Sequence, residues 1–329
     1  MSTNTPLHPL QSVNFTGMAP GPRLIVTGAV HGNEVCGTLG IRRVIAEIES
    51  GALVIARGSV TFVPICNPLA YQLGRRAGDR NLNRALAPTP SPREYEDHIA
   101  NWLCPLLAAH DGLLDLHSFH SGGAPFVMVG PQDNDGRLEP FAHAATEEAL
   151  ARVLGVPRAV DGWLGTYASG VAARAQQAQA DGLAPEALPE LHPRYGVGTT
   201  EYMRTQGGWG LTLECGPHTD PQSPQVAWRA IHRTLAHLGM TDADPPQPAP
   251  LEALSLHAVV DKQHADDRFV RDWQSFDAVQ AGTLIGHRAN GQAVHAPGDG
   301  WLVFPNARAA ARQEWFYLAR ASRRFGAAG

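Results

Sequence analysis

The sequence predicts an α/β fold, a mixed sheet with helices on both faces, followed by a small β-rich domain. Three observations carry that expectation. Short apolar, β-branched runs alternate with stretches of helical period through the first two-thirds of the chain. A proline-dense segment interrupts the pattern at 242–250, and the residues after it form brief strand-like runs parted by glycine turns.

Arg23–Val30 (RLIVTGAV) ends at small residues and reads as a strand, and Glu34–Ile48 follows with apolar residues at helical spacing. Ser59–Ile65 repeats the strand pattern, Arg93–Ala109 the helical one, and Gly112–Leu116 and Phe126–Val129 are further strands. Pro140–Gly155 is expected to be helical. Val171–Ala180, rich in Ala and Gln, fits either a helix or a surface excursion. Trp209–Leu213 is a strand with Glu214 directly after it, and Gln225–Leu238 is the closing helix.

Asp242–Pro250 (DADPPQPAP) holds Pro245, Pro246, Pro248 and Pro250, a density that neither a helix nor a central strand tolerates, so it is assigned as a linker. It separates a domain over 1–241 from a second over 251–329. In the latter, Leu251–Val260, Thr283–His287, Ala293–Ala296 and Trp301–Phe304 are strand-like, with turns such as Asn290-Gly291 between them. A linker this short suggests that the β-rich domain forms a partial lid over the strand-end rim, with a separate partner-binding module as the competing reading.

Composition narrows the function. With 43% hydrophobic and 17% charged residues the chain resembles an ordinary folded enzyme. A formal charge of −5 gives no basic field for phosphate backbones or anionic lipid, which argues against nucleic-acid and membrane partners. No apolar run reaches membrane-spanning length, and the start MSTNTPLHPL lacks the basic and apolar regions of a secretory leader, so the expected location is cytoplasmic. Cys36, Cys66, Cys104 and Cys215 are scattered without a C-x-x-C pair and read as reduced, buried thiols.

Chemistry is expected at the strand ends. His31-Gly32-Asn33-Glu34 follows the first strand, and residues three apart on a turn project to one side, so imidazole and carboxylate can share a metal. Gly32 lets the backbone bend between them. Among 15 histidines an H-x-x-E arises readily by chance, and a helix-capping segment with a surface His is the competing reading. His117 ends the apolar strand Leu113–Leu116. In open α/β sheets ligands bind outside the carboxyl ends of the strands, and His31, His117 and Glu214 each follow one. Two His and one Glu with an open fourth position is the ligand set of hydrolytic zinc sites. His120 is a rival ligand. Asp115 is either a carboxylate that orients an imidazole or a buried capping group.

HGNE, the run Asp79-Arg80-Asn81-Leu82-Asn83-Arg84, the DLH of Asp115–His117 and the LTLECG of Leu211–Gly216 together resemble the succinylglutamate desuccinylase/aspartoacylase family, relatives of the zinc carboxypeptidases. The resemblance spans about Arg23–Gly216. It implies that His31, Glu34 and His117 bind one zinc per chain and that Glu214 is the general base. It further implies that Asn83 and Arg84 hold a substrate carboxylate and that Arg76 polarises the scissile carbonyl.

Elementary chemistry supports these roles. Zinc lowers the pKa of water toward 7, a neighbouring carboxylate can take the proton, and guanidinium groups bind carboxylates and oxyanions. Arg204, ten residues before Glu214, is a further candidate for substrate binding, balanced against a solvated surface charge. Asn83 is equally readable as a turn residue. The family's carboxy-terminal tyrosine has Tyr317 as its nearest candidate, with aromatic packing beside Trp315 and Phe316 as the alternative.

The expected function is zinc-dependent hydrolysis of an amide in a small N-acyl amino acid or related carboxylate-bearing molecule. A zinc carboxypeptidase acting on peptides is the first alternative and a non-catalytic metal or ligand-binding protein the second. The sequence leaves the acyl group, the amine and the oligomeric state open.

Overall fold

A computed structural model describes residues 8–180, 182 and 188–325. Residues 1–7, on which the leader reading partly rests, lie outside them. In chain order come β1 (Val13–Thr16), β2 (Ala19–Gly28), α1 (Cys36–Glu49), β3 (Arg57–Val63), α2 (Pro68–Leu73), α3 (Tyr95–Ala108), β4 (Gly112–Phe119), β5 (Phe126–Met128), α4 (Ala144–Ala151), β6 (Arg158–Asp161) and α5 (Trp163–Ala180). Then follow α6 (Thr199–Thr205), β7 (Trp209–Pro217), α7 (Ser223–His237), β8 (Glu252–Asp261), β9 (Arg268–Phe269), β10 (Ala278–Val279), β11 (Leu284–His287), β12 (Ala293–His295), β13 (Gly300–Val303) and β14 (Glu314–Ala321).

The α/β expectation holds. One mixed sheet runs β1-β3-β2-β4-β7-β5-β6-β8-β14-β13-β10, and β12-β11-β9 form a small second sheet. Its centre, β3-β2-β4-β7, is parallel, so the carboxyl ends of these strands share one edge. Strict alternation along the buried strands feeds two layers. Leu24, Val26, Leu114, Leu116, Leu211 and Leu213 pack against α1 and α7 through Ile41, Val44, Ala227 and Ile231. Ile25, Val63 and Leu113 face α3 and Met203 of α6 through Ile99, Leu103 and Leu107.

Several boundaries differ from the sequence reading for physical reasons. The helix expected over Pro140–Gly155 is confined to α4, whose first N–H is taken by Asp133 Oδ1 (2.8 Å) and beyond which Gly155 adopts a left-handed φ of 84°. β4 and β7 extend past the apolar runs, so His117 and Glu214 lie within strands rather than after them. Val171–Ala180 is helical and belongs to the longer α5.

The segment after the linker is β-rich, as expected; its strands pair antiparallel with one another, yet it does not form an isolated sheet. β8 pairs in parallel with β6, and β14 pairs with β8, so the main sheet runs through it. Phe119, Phe126 and Val160 from before the linker share a core with Leu254, Leu256, Phe276, Val303 and Tyr317 from after it. Among the described residues no helix is long and apolar enough to cross a membrane, and all four cysteines are buried and unpaired.

Candidate active site

The turn after β2 and the end of β4 bring His31, Glu34 and His117 together. One ligand atom from each lies within 4.8 Å of the others, and all three residues are buried. Glu34 is central: its Oε1 is 2.8 Å from His31 Nδ1 and its Oε2 is 2.9 Å from His117 Nδ1. The distal ring nitrogens are engaged elsewhere. His31 Nε2 donates to Asn81 Oδ1 (3.1 Å) and His117 Nε2 to Asp115 Oδ2 (2.7 Å). Acceptors at Nε2 favour the tautomers that leave both Nδ1 atoms free as ligands. His31 Nδ1, although close to Glu34, makes no aligned hydrogen bond and is an orphaned buried polar atom. A cation between the two Nδ1 atoms and the Glu34 carboxylate would satisfy it, so the donor set fits a metal.

Electrostatics agree. Burial, with a contribution from Arg76, holds His31 down to about 4. Burial pushes the Glu34 carboxyl up, but the two imidazoles outweigh it and keep it well below the usual range. At His117 burial is outweighed by Asp115 and Glu34, which hold the imidazolium.

Gly32 is required for a reason other than the bend. A Cβ there would lie 1.9 Å from the Ala70 carbonyl carbon of α2, so the glycine permits close approach of two backbones. Sequence spacing alone also missed α2, although Asn67 caps it by accepting from the Ala70 N–H (3.1 Å) with Pro68 next.

Residues 74–84 form the adjoining wall. Glu96, fully buried on α3, collects this loop: Oε1 accepts from Asn67 Nδ2 (2.8 Å) and the Gly78 N–H (2.9 Å), and Oε2 from the N–H groups of Asp79 (3.2 Å) and Arg80 (3.1 Å). Asn81 Oδ1 also accepts from the Asn83 N–H (2.9 Å), coupling the loop to His31. Neither Glu96 nor Asn81 stood out in the sequence, because a short polar side chain in a helix turn or loop carries no periodic signal.

The other expected site residues divide. Glu214 lies opposite His117 in the β4/β7 register, so both side chains leave the same face of the sheet. It is buried, its Oε2 has no partner, and burial raises it to about 8 against the pull of His117. Arg76 donates to Glu34 Oε1 (2.9 Å) from a half-exposed position. Asn83 Oδ1 accepts from the Thr199 N–H (2.9 Å), and Arg84 Nη1 donates to the Asn83 carbonyl (2.9 Å). All four residues line one cavity of about 1970 Å³ with His31, Glu34 and His117.

Arg204 also lines this cavity, but it is buried and held by protein acceptors: Nε and Nη2 donate to the two oxygens of Glu147, Nη1 to Glu139 Oε1 and Nη2 to the Gly210 carbonyl, and Glu201 Oε1 lies 3.5 Å from Nη1. These contacts make it a strut of the wall and weigh against a role on a substrate carboxylate. His120 lines the same cavity but does not belong to the cluster of His31, Glu34 and His117, and its Nε2 donates to the Pro305 carbonyl (2.9 Å). Tyr317, by contrast, reaches the cavity from β14, and its buried hydroxyl has no hydrogen-bond partner.

Comparison with known proteins follows from this geometry. Residues 20–217 match the family model described as the succinylglutamate desuccinylase/aspartoacylase catalytic domain. Among curated proteins none matches the chain. Of solved structures, a succinylglutamate desuccinylase/aspartoacylase from Rhodobacter sphaeroides is similar at 17% identity and TM-score 0.70, over 95% of this chain and 90% of that one. The product-bound ectoine utilization protein EutE (DoeB) from Ruegeria pomeroyi is similar at 19% identity and TM-score 0.67, over 94% and 88%. A succinylglutamate desuccinylase from Vibrio cholerae is similar at 17% identity and TM-score 0.69, over 94% and 85%. At such identities the likeness is one of fold.

Proposed function

The chain belongs to the succinylglutamate desuccinylase/aspartoacylase family of deacylases, and from that premise we propose that it is a zinc-dependent amidohydrolase acting on a small N-acyl amino acid or related carboxylate-bearing amide. The observation that carries this reading is the convergence of His31 Nδ1, His117 Nδ1 and the Glu34 carboxylate beside a buried, unpartnered Glu214 oxygen. His31, Glu34 and His117 would hold the zinc. When bound, zinc supplies Lewis acidity that makes water a competent nucleophile near neutral pH.

The chain's own groups do the rest. A cation beside Glu214 favours its ionised form, so the carboxyl that burial raises to about 8 becomes a base able to take a proton from water at neutral pH. The same carboxyl then returns the proton to the leaving amine, as general acid. Arg76, on the exposed side of Glu34, is placed to meet the carbonyl oxygen as charge develops there. Asn83 and Arg84 receive the substrate carboxylate, which sets the distance between that charge and the bond to be cut.

Trp163 and Tyr167 of α5, Val259 and Asp261 of β8 and Glu314 and Tyr317 of β14 also line the cavity. Residues from after the linker thus help to shape the site, a feature that supports small amides over peptides. The test is amine release by the zinc-replete protein across N-acetyl, N-succinyl and N-formyl amino acids, with carboxyl-terminal dipeptides alongside. Turnover of dipeptides alone would favour the peptidase, and no turnover in any series would overturn the hydrolase.

A further inference from the structure

Arg84 stands in an unusual setting for a guanidinium. Among the described residues it makes no ion pair with a carboxylate, whereas Arg174 is bound bidentately by Asp261 (2.6 and 2.7 Å) and Arg204 is enclosed by glutamates. Glu314 acts on it only at a distance, Tyr167 is also a hydrogen-bond partner, and aromatic rings flank it. Its guanidinium carbon lies 5.1 Å from the Trp163 ring centre and 5.0 Å from that of Tyr167. The two rings stand one helical turn apart at the start of α5, 5.6 Å from each other, and Trp163 also contacts Tyr317 at 5.4 Å.

This arrangement has a physical consequence. A free arginine side chain loses rotamer entropy when it is fixed, and a ligand that must fix it gives up affinity in proportion. A ring pair that restrains the guanidinium beforehand removes part of the loss, and each cation–π contact adds attraction of its own. Tyr317 gives an independent indication that something polar is received here. Its hydroxyl is buried beside these rings without a partner, a costly state unless an incoming oxygen satisfies it.

We infer that Trp163 and Tyr167 are positioning residues that hold Arg84 as a preformed receptor for the substrate carboxylate. The inference rests on the assignment of Arg84 to that carboxylate, and Trp163 acts through Arg84 rather than on the reacting atoms. Tyr167 is almost wholly buried, so Trp163, half-buried at the cavity wall, is the better site to probe.

The experiment uses zinc-loaded protein titrated with succinate, as a minimal carboxylate probe, and with succinamide, its neutral counterpart. Metal content and thermal midpoint serve as checks on folding. Trp163→Ala should weaken succinate about 3- to 30-fold, the range of one cation–π contact, and leave succinamide unchanged. Trp163→Phe should retain most of the affinity. In an Arg84→Ala background the Trp163→Ala effect should vanish, because positioning has nothing left to act on. With any hydrolysed N-acyl amino acid the loss should fall in KM and not in kcat.

Equal weakening of both probes, or an undiminished Trp163→Ala effect without Arg84, would overturn the inference. Failure of the unaltered protein to prefer succinate would instead remove the assignment of Arg84 on which the inference rests.

Discussion

Replacing Glu96 with alanine is expected to cost more than any other single change in the wall of the site. Its carboxylate accepts from one side-chain amide and three consecutive backbone N–H groups, those of Gly78, Asp79 and Arg80. Hydrogen bonds to charged groups are worth about 1.5–3 kcal/mol each by mutation. The sum overstates the loss, since a partly exposed loop regains water at some of the freed groups. A net destabilisation of about 3–5 kcal/mol is expected, the range found when one member of a buried charged pair is removed. Glu96→Gln should fall between, because one oxygen remains while an NH2 group confronts donors. Amide exchange would report the event locally, with Gly78, Asp79 and Arg80 losing protection while β2 and β4 keep theirs. Because Asn81 and Arg76 extend from this loop to His31 and Glu34, KM should rise more than tenfold in the same variant. A loss below about 1 kcal/mol with unchanged exchange would refute the view that Glu96 organises the loop.

Elemental analysis should find one zinc per chain, and His31→Ala should abolish it; full binding by that variant would remove His31 from the site. Glu214→Gln should keep the metal and lose about a hundredfold to ten-thousandfold in kcat, and a loss under about tenfold with chemistry rate-limiting would assign the base elsewhere. Glu139 shows how the Arg204 cluster depends on pH. Burial, with Glu201 nearby, raises its carboxyl to about 7 despite Arg204. A carboxyl raised on folding stabilises the protein below its unfolded pKa near 4.5, and that contribution is lost as pH climbs through 7. Glu139→Gln keeps an acceptor for Arg204 and should raise the thermal midpoint relative to the unaltered protein more at pH 8 than at pH 5; an equal shift at both would count against the cluster as the source.

Much of the candidate metal site was legible in the sequence, for reasons that separate it from the rest. His31 and Glu34 are near neighbours on a turn, and His117 and Glu214 end apolar strands whose common direction follows from the βα alternation. Local spacing and strand polarity suffice to bring such groups to one edge. The burial of Arg204 was not legible because it depends on Glu147 and Glu139, 57 and 65 residues away in sequence, and no local pattern reports a partner at that distance. Asn81 and His31 are separated by 50 residues, with the same result. Glu96 sits in a first helical turn rich in charge, where a solvated carboxylate is the ordinary expectation. The merging of the β-rich segment with the main sheet turns on β6, a four-residue strand, RAVD, too brief to be distinguished from a loop by its pattern.

That short strand also sets the order in which the molecule can be completed during synthesis. β6 has β5 on one side and β8 on the other, and β8 lies beyond the proline-rich segment. Until those later residues leave the ribosome, β6 presents an unpaired edge, and the rings of Phe119 and Phe126 lack the Phe276 and Tyr317 that cover them. The nascent chain at that stage holds His31, Glu34, His117 and Glu214, yet carries an open sheet edge prone to pairing with other chains. A polypeptide cut near Asp244 would share this exposure, so its expected fate is aggregation or capture by chaperones rather than release as a smaller enzyme of altered selectivity.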